Sequence, residues 1–402
     1  MTEPLRILSF STVYPRPLEP NHGIFVERRL RALASLAEVR VVAPIPCFEP
    51  GNPGHRFPGL ARFPAAAEVD ALRVIRPRWQ HVPGLPWLTA AALAARCIPT
   101  ALLTARRFPF DVIDAHFGYP AGVAAAILSA ATGRPFAVTL RGNETMHAGS
   151  APVKRMMAWC FRRAAAVIGV SRPLVDFAIL LGADPQRCRV IPNGIDTSVF
   201  HPGDRQAARA RLGMAEGRRH ILSSGYLIER KGHHRILEAL PGLHAQGIPA
   251  ELWIVGGRGR EGDFAGAIQQ TIGWLGLRDS VHLVSPVPPA ELAAYMSAAD
   301  LFCLASSREG WPNVVNEALA CGTPVVTTNV GGAPDMVPGD RYGFVLPPGD
   351  AAALAGALAS ALTRPWDRGA IADWGGSRSW RKVAEETLNA LRDASQATIG
   401  TA

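Results

Sequence analysis

The sequence predicts an α/β protein of two doubly wound, Rossmann-like domains facing each other across a cleft, and three observations carry that expectation. Its 402 residues suffice for two domains of ordinary size, each with its own core. Short apolar runs alternate with longer helical patterns from end to end, as in parallel sheets covered by helices. The segment Pro192-Asn193-Gly194-Ile195-Asp196, with Phe200 and Pro202 beyond it, has the turn chemistry of an interdomain connection. The expected domains are residues 1–195 and 196–378, followed by a last helix.

In the first domain, strands are expected at residues 5–10, 39–43, 72–75, 112–115, 136–140, 166–170 and 189–191. The Pro- and Gly-rich stretch 44–64 reads as one long loop. In the second domain the strands fall at 220–224, 251–255, 281–284, 301–304, 325–328 and 344–346. A helix over 379–394 has no strand after it. Ligands of open α/β sheets bind outside the carboxyl ends of the strands, which places the expected active site in the cleft.

Composition narrows the classes. With 48% hydrophobic and 19% charged residues the chain reads as globular and soluble. Its six cysteines, at 47, 97, 160, 188, 303 and 321, form no CxxC pair or regular framework, so reduced thiols in a cytosolic compartment are expected. The apolar run 7–10 is too short for a signal peptide. Residues 87–105 are interrupted by Arg96 and Pro99, so no membrane span is expected. Residues 1–200 hold 23 Lys and Arg against 13 Asp and Glu, whereas residues 201–402 hold 19 against 20. The basic first half suits a phosphorylated acceptor or an anionic membrane surface, giving a cytoplasmic protein with peripheral attachment at the inner face. Nucleic acid is disfavoured, because the arginines are scattered and no RNP or zinc-finger spacing occurs.

The richest stretch is 300–326, which sets Glu309 and Glu317 eight residues apart across a loop-to-helix junction. Residues 301–304 read as a buried strand, 306–310 as loop, and Pro312-Asn313 as a helix start. The N–H groups of such a start, from Gly310 through Trp311, Pro312 (which lacks one) and Asn313 to Val314, with the positive dipole end, suit a diphosphate. Glu317, one turn inside, can accept both hydroxyls of a ribose diol. An ordinary βαβ unit with solvated glutamates is the plain alternative.

Glu309-Gly310-x-Pro312, with Glu317 and the run Ala318-Leu319-Ala320-Cys321-Gly322-Thr323-Pro324-Val325-Val326, resembles the donor-site signature of retaining glycosyltransferases of family 4. The resemblance extends over nearly the whole chain. It implies the GT-B fold, a last helix crossing back to the first domain, and transfer of a sugar from a nucleotide diphosphate sugar, expected to be a UDP-sugar, with retention. It also implies domain closure that limits hydrolysis, and a departing phosphate that itself takes the acceptor proton. The acceptor is expected to be a saccharide, a lipid-linked sugar or a small molecule in bacterial polysaccharide or glycolipid synthesis. The nucleotide sugar is a substrate, so no cofactor is expected.

Other motifs fill in the site. Lys231 is one of three lysines and follows a strand end, where a fixed cation can neutralise a leaving diphosphate. The family has Arg directly after the first Gly of this segment and Lys before the last; Lys231 matches, Tyr226 replaces the Arg, and Arg230 is the candidate substitute. No Asp-x-Asp pair occurs, so no metal site is expected, and His233-His234 lack a third ligand. Gly257-x-Gly259-x-x-Gly262 reads as a tight turn bordering the nucleotide, since the acidic residue of a dinucleotide fingerprint is missing. The family's nucleobase contacts map to Val287. His116, just past a strand end, matches the family His that hydrogen-bonds the donor sugar. Arg141 stands where the family often has His and could meet a donor or acceptor phosphate. Gly23, at a helix N-terminus, permits close approach of a phosphate or acceptor. The rival readings are a nucleotide-sugar epimerase of this architecture, a PLP-dependent phosphorylase using Lys231, and a non-catalytic basic polyanion-binding module.

Overall fold

A computed structural model describes residues 3–397, apart from 17–18, 20, 50–51, 58–59, 61–62, 70–71, 81–84 and 260–261. The chain forms two compact units, Met1–Gly194 with Trp380–Ala402, and Ile195–Ser379.

The first unit is built on an eight-stranded sheet in the spatial order Cys188–Val190, Ala166–Gly169, Phe136–Leu140, Val112–His116, Arg6–Phe10, Glu38–Val42, Leu72–Ile75 and Ala66–Val69. All neighbours run parallel except the last pair. The central strands Val112–His116 and Phe136–Leu140 are buried along their whole length, as strands covered on both faces must be. Helix Trp380–Gln396 follows the second unit in sequence but belongs to the first. Its Ala384, Leu388 and Leu391 share a core with Leu30 and Leu33 of helix Ile24–Ala34 and with Ile7 and Val112 of the sheet. Each such leucine contributes about 1.5–3 kcal/mol by leaving water.

The second unit carries six parallel strands in the order Val281–Val284, Ala250–Val255, Arg219–Ser224, Leu301–Leu304, Val325–Thr328 and Gly343–Leu346. Their carboxyl ends therefore share one edge. One core covers each face, around Phe302 and Leu304 on one side and Leu301 and Cys303 on the other.

Two expectations need correction. The stretch 44–64 is not one loop. Ile45–Pro46 pairs with Arg78–Trp79, and Phe48–Glu49 forms an antiparallel ladder with Asn52–Arg56, over a small cluster of Ile45, Phe57 and Phe63. Strands this short leave no periodicity to read. The edge strand Ala66–Val69 was also unforeseen, because its alanines and Glu68 lack β preference and it is held by antiparallel pairing to Leu72–Ile75. Among the described residues no helix is long and apolar enough to cross a membrane, helix Thr89–Arg107 included.

Candidate functional site

In the second unit, two strand ends bring the predicted cations and acids together. Strand Arg219–Ser224 leads into a short 3-10 turn, Glu229–Lys231, and then into helix His233–Ala245 through Gly232 at φ +72°. A Cβ at Gly232 would run into the carbonyl of Ala305, so only glycine lets this turn press against the end of the neighbouring strand. Lys231 Nζ consequently lies 2.7 Å from Glu309 Oε1, although 78 residues separate them. Ser306 Oγ donates to the same oxygen at 2.8 Å, and Arg230 Nη1 stands 3.4 Å from it while donating to the Arg308 carbonyl. The Lys231 and Glu309 side chains are only 13% and 10% exposed. Burial alone would raise the Glu309 carboxyl, but the Lys231 ammonium, the Arg230 guanidinium and the hydrogen bonds from Lys231 and Ser306 hold it below the usual range.

Helix Asn313–Ala320 begins beyond Pro312 and ends at Gly322, which sits at φ +75° against the Arg368 carbonyl. The Thr323 N–H to Ala318 carbonyl bond closes that end. Glu317 lies one turn inside the helix and is 9% exposed. Asn313 and Val314 are half-buried on the first turn, and Gly310 is buried, its carbonyl accepting from the Gly332 N–H at 3.0 Å. Trp311 packs on the core beside Gly332. Val287, half-buried against the same core, follows strand Val281–Val284 at the same sheet edge. The turn containing Gly257 and Gly259 also belongs to this edge. A Cβ at Gly256 would strike the Gly225 carbonyl, and one at Gly257 would meet Pro286 at 2.7 Å. These glycines let three strand-end turns pack on one another, and residues 260–261 of the motif lie outside the described residues. His233 is buried, with Nδ1 2.9 Å from Ser223 Oγ and Nε2 3.3 Å from the Tyr226 carbonyl. Burial, outweighing those bonds, pushes its pKa down to about 4. His234 instead packs edge-on to Phe264.

The first unit holds a buried polar network at the carboxyl ends of its central strands. Arg29 Nη2 binds both oxygens of Asp114, at 2.9 and 3.2 Å, while its Nη1 donates to Thr139 Oγ1. His116 Nε2 lies 3.2 Å from Asp114 Oδ2 and 3.1 Å from Ser9 Oγ, and Arg141 Nη2 donates to His116 Nδ1 at 3.0 Å. Arg141 Nη1 reaches Asn193 Oδ1 at 3.1 Å. The buried Glu144 carboxylate accepts from the N–H groups of Gly118, Arg141 and Gly142. Phe117, next to His116, is the one non-glycine residue with positive φ (72°) among those described, a strained conformation of the kind that gathers at functional sites.

Electrostatics fix the protonation states. Burial would raise Asp114, yet Arg29, His116 and Arg141 bring it down to about 2. His116 is pushed down to about 4 by burial, with Asp114 opposing and both arginines assisting. It is therefore a neutral ring that accepts at Nδ1. With no exposed surface and both nitrogens engaged inside the unit, His116 holds the Arg141 guanidinium in place. Arg141, lowered to about 9 by burial and by Arg29, keeps Nε without a partner among the described residues. Gly23 at φ +73° starts helix Ile24–Ala34, and the space of its missing Cβ is taken by the Val13 carbonyl at 2.6 Å, so a close backbone contact accounts for it. Asp114, Arg29, Asn193, Glu144 and Ser306 escaped the sequence reading. A charged residue inside an otherwise apolar strand was the available signal for Asp114.

Comparison with known proteins follows this geometry. Glycosyltransferase Family 4 matches residues 23–199, and Glycosyl transferases group 1 matches residues 204–373. A Bacillus subtilis (strain 168) protein named "Putative teichuronic acid biosynthesis glycosyltransferase TuaC" is 30% identical over 376 residues, covering 88% of each chain. The D-inositol 3-phosphate glycosyltransferase of Paenarthrobacter aurescens (strain TC1) is 32% identical over 302 residues, 71% of this chain and 73% of that one. Among solved structures, sucrose-phosphate synthase from Thermosynechococcus elongatus superposes with a TM-score of 0.78 at 20% identity, covering 96% of this chain and 98% of the other. Anabaena Alr3699/HepE in complex with UDP-glucose gives 0.69 at 22% identity and 98% of both. At these identities the structural likeness speaks to fold alone.

Proposed function

The chain belongs to glycosyltransferase family 4, with the GT-B fold, and on that premise we propose that it moves a sugar from a UDP-sugar to an acceptor hydroxyl with retention at the anomeric carbon. The observation that carries this reading is the joining of Lys231, Arg230 and Glu309 at the mouth of the helix that bears Glu317. Glu317 holds the ribose. Lys231 and the first-turn N–H groups stabilise charge as the diphosphate departs, with Arg230 supplying the second cation that Tyr226 cannot. Glu309 binds sugar hydroxyls. The acceptor attacks on the face of the leaving phosphate, whose oxygen takes its proton, so no side-chain base is needed and the protein's own cations do the neutralising. HepE bound to UDP-glucose supports the donor class. The name of the Bacillus subtilis relative supports an acceptor in polysaccharide synthesis, and the basic first half supports attachment to an anionic membrane surface.

The test is a panel of nucleotide sugars scored for slow donor hydrolysis and thermal stabilisation, repeated with Glu317→Ala. Binding led by UDP-sugars and lost in the variant is the expected result. If none binds, the enzyme reading fails; if wild type and variant behave alike, the ribose contact is misplaced.

A further inference from the structure

Residues 201–402 carry about as many acids as bases, yet five arginines of the second unit meet at one place. That place is the amino-terminal edge of its sheet, opposite the strand ends that bear Lys231 and Glu309. Arg219 opens strand Arg219–Ser224, and Asp300 precedes the adjacent strand Leu301–Leu304. Arg205 and Arg209 come from helix Arg205–Leu212, and Arg364 and Arg368 from the link between helices Ala351–Thr363 and Arg368–Gly376. Three guanidinium groups thus pair with one carboxylate, and Arg364 and Arg368 line the same pocket.

That carboxylate is already committed. Asp300 pairs with Arg205 through Oδ1, while its Oδ2 accepts from Arg209 at 2.7 Å and from the His220 N–H at 2.7 Å; Arg219 stands 3.8 Å away. Other acids nearby offset little. Asp340 is 82% exposed and 4.0 Å from Arg364, and Asp367 caps a helix through the Ala370 N–H. Arg368 is held by the carbonyls of Ser297 and Ala299 and by Thr323 Oγ1, so it cannot swing away. Burial, helped by Arg205 and Arg209 and opposed by Asp300, pushes it down to about 10. Arg364 lies flat over Trp366, 4.3 Å from the ring centroid, and the Trp366 ring is pinned by its N–H to the Ala361 carbonyl.

Between Arg205, Arg219, Arg364, Arg368 and Trp366 opens a cavity of about 190 Å³, whose wall also includes the arginine-paired Asp300. Rigid guanidinium forks around such a space match the tetrahedral oxygens of a phosphoryl group, and surplus positive charge at a concave wall concentrates anions. We propose that this pocket is an anion site for one or two phosphoryl groups, on a soluble phosphate ester or on a lipid headgroup. It is separate from the proposed donor site, since the sheet lies between them.

Inorganic pyrophosphate is the probe, titrated calorimetrically into the full chain at low ionic strength. A Lys231→Ala background removes the contribution of the donor site. Saturable binding of one pyrophosphate per chain is expected, weakened at least about tenfold by Arg219→Gln with Arg364→Gln, since each lost charge-assisted contact is worth about that factor. These side chains are 51% and 37% exposed, and anion-free melts matching the parent chain show that the fold survives. Should the double variant melt early, Arg364→Gln alone carries the test with a smaller but definite loss. Absence of binding in the Lys231→Ala chain, or binding indifferent to the arginine substitutions, overturns the proposal. Co-sedimentation with phosphatidylglycerol vesicles that pyrophosphate competes away assigns the group to a lipid; pyrophosphate binding without co-sedimentation assigns it to a soluble ester.

Discussion

His116 in the first unit and His233 in the second are fully buried, neutral rings, and with His220, which is also buried and lowered by burial, they predict a loss of stability in mild acid. His116 and His233 are 0% exposed, and each is pushed from an ordinary 6.5 to about 4, with burial the largest cause. Protonating His116 at Nδ1 would displace the Arg141 hydrogen bond and set two cations together; His233 would gain charge beside Lys231. The direction follows from proton counting. Between pH 6.5 and 4 the unfolded chain binds a proton at each ring that the native chain does not, so stability is full above 6.5 and falls as pH drops toward 4. At pH 4.5 the loss is about 2.5 kcal/mol per histidine, enough to matter against a total of about 5–15 kcal/mol. Asp114 acts in a lower window, contributing stability above 3.8 that disappears as pH falls through about 2. Urea denaturation followed by tryptophan fluorescence from pH 7.5 to 4.5 measures the slope. His116→Asn and His233→Asn each lower stability at pH 7.5 and flatten the slope by about 1.4 kcal/mol per pH unit. A slope unchanged from wild type in both variants would refute the reasoning, whatever the variants do to absolute stability.

Two further outcomes follow from close contacts. Asp114→Asn strips Arg29 of its buried counter-charge and destabilises the first unit by about 3–5 kcal/mol, measured by equilibrium denaturation; a loss below about 1 kcal/mol contradicts the network. Gly232→Ala forces a side chain into a left-handed conformation and into the Ala305 carbonyl, so it lowers the melting temperature and displaces Lys231; retained donor-induced stabilisation in that variant contradicts the role given to this turn.

How much of this was legible depends on whether the signal was local. Strands such as Ala166–Gly169 and Leu301–Leu304, apolar on both faces, announce themselves in sequence because a covered parallel strand has no polar side to interrupt it, and the α/β class with helices on both faces follows. Lys231 and Glu309 could be singled out because lysine is scarce in this chain and both residues follow strand ends. Their 2.7 Å ion pair could not, since it depends on Gly232 yielding space to Ala305. Asp114 and Arg29 illustrate the opposite limit. Their partnership spans 85 residues, and Arg29 sits in an arginine-rich helix segment where nothing local distinguishes the buried residue from its neighbours Arg28 and Arg31.

On the proposed function, the geometry around Glu309 bears on how one carboxylate would serve both phosphate and sugar. Lys231, Arg230 and Ser306 all approach Oε1, and Oε2 has no hydrogen-bond partner among the described residues. An acid anchored through one oxygen by two cations stays ionised, because the attraction outweighs the desolvation that would protonate it. It is also held in one orientation, with its second oxygen left to accept from a hydroxyl. The same contacts limit Lys231. A diphosphate that draws on its charge has to share it with Glu309, so the pair lowers the ground-state attraction for phosphate while keeping the ammonium fixed. Charge that accumulates on a leaving group strengthens the pull of a fixed cation without any reorganisation, so in the proposed reaction the arrangement would favour the departing diphosphate over the bound donor.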